Sequence, residues 1–128
     1  MAFRVEHIDH VALTVRDVPR SVAWYRDVLG LERRYEDAWG DEPAVVCAGD
    51  TCLALFPASV PSPAATPGPD TIAMRHVAFA VSRDGLEAAR RRFAGLGIEA
   101  REEDHGISRS LYIADPDGHR VEVTTYET

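Results

Sequence analysis

The stretch His10-Val-Ala-Leu-Thr-Val15 returns later in the chain as His76-Val-Ala-Phe-Ala-Val81. In both copies the residues after the histidine alternate between bulky and small side chains, as in a β-strand with one packed face. Each copy is followed by apolar residues at helical spacing that run up to a glycine, Gly30 in the first half and Gly97 in the second. An internal repeat of this kind predicts two copies of one structural unit.

Short alternating or β-branched runs follow each predicted helix and indicate three further strands in each half. These runs are Leu31 to Tyr35, Ala44 to Cys47, Cys52 to Phe56, Ile98 to Arg101, Ser110 to Ala114 and Arg120 to Thr125. The predicted fold class is therefore α+β, built from two βαβββ modules. We expect Pro19 in the first turn of the first helix, and a capping box of Asp84 and Glu87 at the start of the second.

A proline-rich segment separates the two halves. Pro57 to Pro69 contains five of the eight prolines, a composition that blocks helix and sheet and favours an extended spacer. We expect module 1 at about residues 5–57, the linker at 58–71 and module 2 at about 72–126.

Composition limits the classes of partner. The chain has 128 residues, 45% of them hydrophobic, and a net charge of −7, so we expect one compact domain that binds neither nucleic acid nor membranes. No apolar run approaches the roughly 20 residues of a membrane span, and the first ten residues lack the apolar core of a secretory signal, which predicts a cytoplasmic protein. Cys47 and Cys52 are too few for a disulfide scaffold and predict two half-buried thiols on a hairpin.

Strand parity brings three possible ligands onto equivalent faces. His10 shares its face with Ala12, and His76 shares its face with Ala78. In the last predicted strand, Glu122 lies on the face opposite the packing valines. Two imidazoles and one carboxylate suit Fe(II), Mn(II) or a related divalent ion and leave coordination positions open. A lone strand histidine is more often structural, but the joint placement favours a metal site. His7 and His119 have the opposite parity, which excludes them as ligands.

Three stretches resemble the vicinal oxygen chelate superfamily: His10 to Gly30, Met74 to Val81 and Ser110 to Glu122. That superfamily includes glyoxalase I, extradiol dioxygenases, fosfomycin-modifying enzymes and bleomycin-resistance proteins. The resemblance implies that each βαβββ module forms an open half-barrel around a divalent metal. It also implies that the metal ligands are His10, His76 and Glu122. Fe(II) or Mn(II) is favoured, with Zn(II) and Ni(II) as alternatives.

Two further residues are candidate catalytic groups. Tyr112 shares a strand face with Ser110, so its phenol can donate a hydrogen bond to an oxyanion beside the metal; the alternative is a tyrosine that only lines a cavity. His105 lies in a charged stretch that we expect to be a mobile loop over the barrel mouth, where an imidazole can shuttle a proton; the alternative is an exposed loop histidine. The turn Asp115-Pro-Asp-Gly118 is expected to cap a hairpin.

The resemblance does not single out one branch of the superfamily. Strand phase makes Ala54 the counterpart of Glu122, whereas glyoxalase I has a carboxylate there. Fosfomycin-modifying enzymes have threonine at the position of Ala12 and a basic residue on a C-terminal extension. The segment from His105 to Glu122 resembles the extradiol ring-cleavage pattern, with a departure at Glu103. A dioxygenase-like enzyme for a small catechol or enediolate is therefore the first hypothesis. A glyoxalase-type lyase or isomerase, or a drug-sequestering protein of the bleomycin or fosfomycin type, is the alternative.

We also expect a homodimer, because half-barrels leave apolar surface and sheet edges exposed and small relatives often bury them by pairing. A semi-rigid proline-rich spacer can hold the two modules of one chain apart. Each site would then combine His10 of one subunit with His76 and Glu122 of its partner. Pairing of modules within one chain is the alternative.

Overall fold

The computed structural model describes residues 2–128. The chain divides into a first unit, Met1–Pro63, and a second unit, Ala64–Thr128. The boundary lies inside the proline-rich segment. Among the described residues, none of the helices has the length and apolar character that crossing a membrane requires.

The first unit is a four-stranded sheet with one long helix. Its elements are β1 (His10–Val15), α1 (Val18–Leu29), β2 (Glu32–Arg34), α2 (Glu36–Trp39), β3 (Ala44–Ala48) and β4 (Thr51–Pro57). The strand order is β1-β4-β3-β2, with β1 parallel to β4 and the other pairs antiparallel. Helix α1 contacts β3 and β4 and buries Val18, Val22 and Tyr25.

The second unit repeats this arrangement without the short helix. Its elements are β5 (Val77–Ala80), α3 (Arg83–Gly95), β6 (Arg101–Asp104), β7 (Arg109–Ala114) and β8 (Arg120–Thr125). The strand order is β5-β8-β7-β6, and only β5 and β8 pair in parallel. Helix α3 contacts β7 and β8. The α+β prediction of paired βαβββ units with open sheets is confirmed.

Burial follows the predicted strand parity. In β1, Val11 and Leu13 are partly buried and Val15 is fully buried, whereas Ala12 is exposed. In β5, Val77 and Phe79 are again more buried than their neighbours. In β1 and β5 the bulky side chains therefore occupy one face, and the small residues Ala12 and Ala78 on the other face are exposed.

The two long helices begin differently. Asp17 caps α1 by accepting a hydrogen bond from the Arg20 amide at 3.1 Å, and a proline occupies the first turn as predicted. The predicted capping box of Asp84 and Glu87 is wrong. Ser82 caps α3 instead, with its hydroxyl accepting from the Gly85 amide at 3.0 Å. Asp84 lies within the first turn, where its negative charge interacts favourably with the helix dipole.

The strand predicted at Ile98 to Arg101 lies further along the chain. The observed strand, β6, runs antiparallel to β7 and pairs Arg101 with Tyr112. A tight turn follows, in which the His105 amide donates to the Ser108 carbonyl at 2.8 Å. The predicted mobile loop is therefore a paired edge strand and a short turn. Charged side chains are common on edge strands, where one face and one edge meet water.

The two cysteines form a disulfide, which corrects the prediction of two half-buried thiols. Cys47 on β3 and Cys52 on β4 are direct register partners with Cα atoms 4.1 Å apart. Both are buried in an apolar cluster with Val45 and Ala54. Directly opposed residues of an antiparallel pair bring their Cβ atoms close together, so the hairpin register makes the bond feasible.

Reduction of this disulfide is expected to lower the free energy of unfolding by about 2 kcal/mol, the value for a cross-link that closes so short a loop. Urea unfolding with and without a dithiol reductant measures the difference. A Cys47→Ala/Cys52→Ala variant is the control, because its midpoint should not respond to the reductant. An unchanged wild-type midpoint, with both thiols shown to be free, would contradict the prediction.

Candidate functional site

The candidate site lies on the open face of the second sheet. His76 immediately precedes β5, and Glu122 on β8 is the register partner of both Ala78 on β5 and Tyr112 on β7. Glu122 and Tyr112 lie on neighbouring strands with the same parity, and His76 is two residues before Ala78, so their side chains project from one face. The sheet therefore brings together three of the five predicted site residues.

His76 and Glu122 form a tight pair. His76 Nε2 lies 2.9 Å from Glu122 Oε1, and the two side chains are 35% and 10% exposed. The other carboxylate oxygen of Glu122 accepts a hydrogen bond from the Ser110 hydroxyl at 2.5 Å. Ser110 therefore fixes the carboxylate so that one oxygen faces the imidazole.

His76 and Glu122 are two of the three predicted metal ligands, and their geometry suits that role. Adjacent ligands that bind a six-coordinate ion at about 2.1 Å are separated by about 3 Å, close to the spacing of the two donor atoms. An imidazole nitrogen and a carboxylate oxygen suit Fe(II), Mn(II) and Zn(II). Carboxylates that bind a metal are commonly held in orientation by a hydrogen bond, here the one from the Ser110 hydroxyl.

His10, the third predicted ligand, lies in the first unit at the start of β1. Its side chain is 50% exposed, and Nδ1 lies 2.9 Å from Asp9 Oδ2. Within residues 2–128, no group of three or more His, Cys, Asp or Glu side chains is arranged to hold a metal ion. The structure thus supplies a two-residue donor set, and a ligand role for His10 stays a prediction.

The sheet registers agree with the alignment of the two halves. Ala12 on β1 pairs with Ala54 on β4, as Ala78 on β5 pairs with Glu122 on β8. The position equivalent to Glu122 in the first unit therefore holds alanine and offers no carboxylate.

Tyr112 and His105 contact each other. His105 Nε2 lies 2.9 Å from the Tyr112 hydroxyl oxygen, and the two rings meet edge to face. The His76 ring also meets the Tyr112 ring edge to face, with centroids 5.8 Å apart. His105 is therefore held at the site by its turn and its phenol partner, and is not a loop histidine directed only to solvent.

Arg101 is a site residue that the sequence analysis missed. Its guanidinium carbon lies 5.0 Å from the centre of the Tyr112 ring, and Nη1 lies 3.2 Å from Glu103 Oε1. The available signal was the alternation of Arg101 and Glu103 on one face of a charged strand. Placing the end of the predicted strand at Arg101 concealed it.

Burial raises the pKa of Tyr112 above its ordinary value, and the negative charges of Glu122 and Glu103 raise it further. The phenol is therefore protonated at neutral pH and can act as a hydrogen-bond donor.

Tyr112 is expected to ionise at a pH above the ordinary tyrosine value of about 10 in the metal-free protein. Because the raised pKa favours the protonated folded state, its contribution to stability is complete below about pH 10 and is lost as the pH rises through the folded value. Phenolate absorbance of the wild type, minus that of Tyr112→Phe, follows this group. Glu122→Gln should move the titration to lower pH; ionisation of Tyr112 at or below its ordinary value would contradict the prediction.

A cavity of about 330 Å³ opens at this site in the second unit. Eight polar or charged residues line it: Thr71, Arg75, His76, Arg101, Glu103, His105, Tyr112 and Arg120. The volume is at the lower end of the range for small-molecule sites. The site therefore combines a possible metal-binding pair, a phenol–imidazole pair and a cavity for a small molecule.

The turn after β7 has the structural role that its sequence predicts. Asp115 Oδ1 accepts hydrogen bonds from the amides of Asp117 and His119, at 2.9 and 2.8 Å. This carboxylate caps the hairpin between β7 and β8.

Comparison with known proteins gives one family. The family model described as Glyoxalase/Bleomycin resistance protein/Dioxygenase superfamily matches residues 7–123. A crystal structure of a glyoxalase/dioxygenase from Nostoc punctiforme superimposes with a TM-score of 0.78, at 23% identity, and the match covers 93% of this chain and 90% of the other. This likeness shows a shared fold.

Two curated relatives differ in how much of their length is matched. Catechol-2,3-dioxygenase of Bacillus subtilis (strain 168) is 30% identical over 118 residues, which are 91% of this chain but 40% of the relative. Glutathione transferase FosA of Serratia marcescens is 27% identical over 121 residues, which are 93% of this chain and 80% of the relative. The chain thus spans about two fifths of the first relative and four fifths of the second.

Proposed function

Because the chain belongs to the Glyoxalase/Bleomycin resistance protein/Dioxygenase superfamily, we propose that it is a divalent-metal-dependent enzyme with a dioxygenase-like reaction on a catechol or related enediolate. The substrate would bind through two neighbouring oxygens. The observation that carries the proposal is the pairing of His76 with Glu122 at 2.9 Å beside the Tyr112–His105 contact.

His76 and Glu122 would hold the metal, with His10 as the third ligand. When bound, a divalent ion supplies Lewis-acid stabilisation of anionic substrate oxygens. Ser110 keeps the Glu122 carboxylate oriented toward His76. Fe(II) and Mn(II) suit this donor set best, and Zn(II) and Ni(II) are the alternatives.

Tyr112 and His105 would transfer a proton to or from the substrate. The Tyr112 hydroxyl is positioned to donate a hydrogen bond to a substrate oxyanion, and His105 Nε2 is within hydrogen-bond distance of that hydroxyl. The Arg101 guanidinium lies over the Tyr112 ring in a cation–π contact. A proton can therefore pass between His105 and the substrate through one phenol.

Tyr112→Phe should lower kcat by about 100-fold or more, because it removes the hydroxyl that stabilises the oxyanion and keeps the ring. Metal content should be unchanged, since Tyr112 is outside the proposed ligand set. Rates and bound metal are measured on the same preparation. A variant with the full wild-type rate would remove Tyr112 from the catalytic group.

The proposal also includes a two-fold homodimer in which His10 of one subunit completes the site of its partner. The exposure of Ala12 on β1 and Ala78 on β5 in the single chain supports it.

A thiol transfer reaction of the kind named for FosA is the second candidate. The length of the match favours this candidate, because the chain spans 80% of FosA but 40% of the catechol-2,3-dioxygenase. Ala12 weighs against it, since fosfomycin-modifying enzymes have threonine at the equivalent position. The contact between His105 and Tyr112 favours the dioxygenase-like reaction, because the ring-cleavage pattern joins these residue types to the carboxylate ligand.

One experiment separates the candidates. Protein loaded anaerobically with Fe(II) or Mn(II) is given catechols and dioxygen, and oxygen uptake is compared with ring-cleavage product. A parallel sample receives fosfomycin and a thiol, with the phosphonate followed by phosphorus NMR. Equal oxygen uptake and product formation supports the proposal. A thiol adduct without catechol cleavage supports the second candidate, and no reaction in either sample contradicts both.

A further inference from the structure

We propose that Arg75 and Arg120 bind a carboxylate of the substrate, so that the substrate is a catechol with an acidic side chain; the catechol part of this inference rests on the proposed function. Both arginines line the cavity beside the candidate metal pair. Arg75 directly precedes His76 in the chain, and Arg120 lies two residues before Glu122.

Strand geometry places Arg120 and Glu122 on one face of β8, close enough for one small molecule to lie near both. Residues two apart on a strand share a face and are separated by about 6.7 Å along the chain. Arg120 and Glu122 lie on β8, so they occupy one face at this spacing. This distance is comparable with that across a substituted benzene ring. A ring whose oxygens bind a metal held by His76 and Glu122 would therefore have Arg120 on the same face of the sheet.

The charge of the cavity is opposite to that of the protein. Its lining contains three arginines and one glutamate, although the whole chain has a net charge of −7. Arg101 is partly neutralised by Glu103 at 3.2 Å. In the described part of the chain, neither Arg75 nor Arg120 forms an ion pair with an Asp or Glu side chain. Both arginines thus line the cavity as exposed residues whose guanidinium groups are not paired with a protein carboxylate.

Guanidinium groups recognise carboxylates through paired, charge-assisted hydrogen bonds. A substrate carboxylate would supply the acceptor oxygens that the protein does not provide to Arg75 and Arg120. The same two charges would disfavour cationic substrates and give little advantage to a neutral catechol. Arg75 and Arg120 would therefore determine specificity for the acidic side chain, while the metal held by His76 and Glu122 binds the two neighbouring oxygens.

The first test measures binding without metal. Chelator-treated protein is titrated calorimetrically with dihydrocaffeate, its methyl ester and phenylpropionate, which separate the carboxylate from the diol. Dihydrocaffeate and phenylpropionate should bind about 10- to 100-fold more tightly than the ester, the range for charge-assisted hydrogen bonds. Arg75→Gln/Arg120→Gln should remove this preference. The control Arg91→Gln, at an exposed position on α3, removes one positive charge outside the cavity lining and should retain the preference.

The second test compares kcat/KM of the metal-loaded protein for dihydrocaffeate and its ester. Cleavage of both at equal rates, unaffected by the double variant, would overturn the carboxylate site and leave the proposed function standing. Binding of the acids that depends on the two arginines, without cleavage of any catechol, would support the carboxylate site and overturn the proposed function. Equal binding of acids and ester by the wild type would overturn the inference.

Discussion

Replacing Glu122 by alanine is expected to weaken divalent-metal binding by more than about 100-fold and to abolish activity. Loss of a supporting side chain around a metal site already costs 10- to 100-fold, and Glu122 would be a direct ligand. Calorimetric titration with Mn(II) measures the affinity. Circular dichroism checks the fold, because removing a buried carboxylate leaves the Ser110 hydroxyl without its partner.

Three other variants give this test a graded control. Ser110→Ala removes the hydrogen bond to Glu122 Oε2 and should weaken metal binding by about 10-fold. His119→Ala should leave the affinity nearly unchanged, because His119 is outside the proposed ligand set. His105→Ala should lower the rate and keep the metal. Equal loss of metal from Glu122→Ala, His105→Ala and His119→Ala would contradict the assignment.

Mixing His10→Ala protein with Glu122→Ala protein is expected to restore metal sites that neither variant has alone. If each site joins the first module of one subunit to the second module of its partner, every mixed dimer has one intact site and one that lacks both ligands. Random exchange of subunits makes half of the dimers mixed, so about a quarter of all sites should recover. Metal bound per chain, measured after exchange, gives the result, and sedimentation at micromolar concentration confirms the dimer.

A second mixture is the matched control. His76→Ala and Glu122→Ala both damage the second module, so every site in their mixed dimers lacks one ligand and none should recover. Recovery in this control would show a different origin for the restored binding. No recovery in the first mixture, with subunit exchange demonstrated, would contradict sites shared between subunits.

Strand parity was sufficient to predict the open face of the second sheet. Alternation of bulky and small residues after His76 and the phase of Glu122 required only the two-residue period of a strand. The register then brings His76 and Glu122 within 2.9 Å of each other. The same reasoning identified Ala54 as the counterpart of Glu122, because both halves share one strand order.

The charged edge strand could not be recognised from hydrophobic periodicity. Arg101-Glu-Glu-Asp104 contains no apolar residue, so it lacks the alternation of apolar and polar residues that indicates a half-buried strand. Its pairing with β7 fixes it as a strand and brings Arg101 to Tyr112. Side chains recruited through tertiary pairing of a polar edge are thus the part of the site that sequence patterning missed.

The disulfide was missed for a different reason. The cysteine count and the expected compartment predict free thiols, but bond formation depends on which residues face each other across the hairpin. Cys47 is the second-to-last residue of β3 and Cys52 is the second residue of β4, and this symmetry about the turn is the signal that the sequence offers. Register, more than composition, decides such pairs.

Anomalous diffraction from a crystal soaked in Mn(II) tests the central claim most directly. The account predicts one ion within about 2.0 to 2.3 Å of an oxygen of Glu122, a nitrogen of His76 and a nitrogen of His10, whichever subunit supplies the last. An ion elsewhere would contradict it. A crystal soaked in excess Mn(II) in which His76 and Glu122 keep their direct ion pair, with no ion between them, would also contradict it.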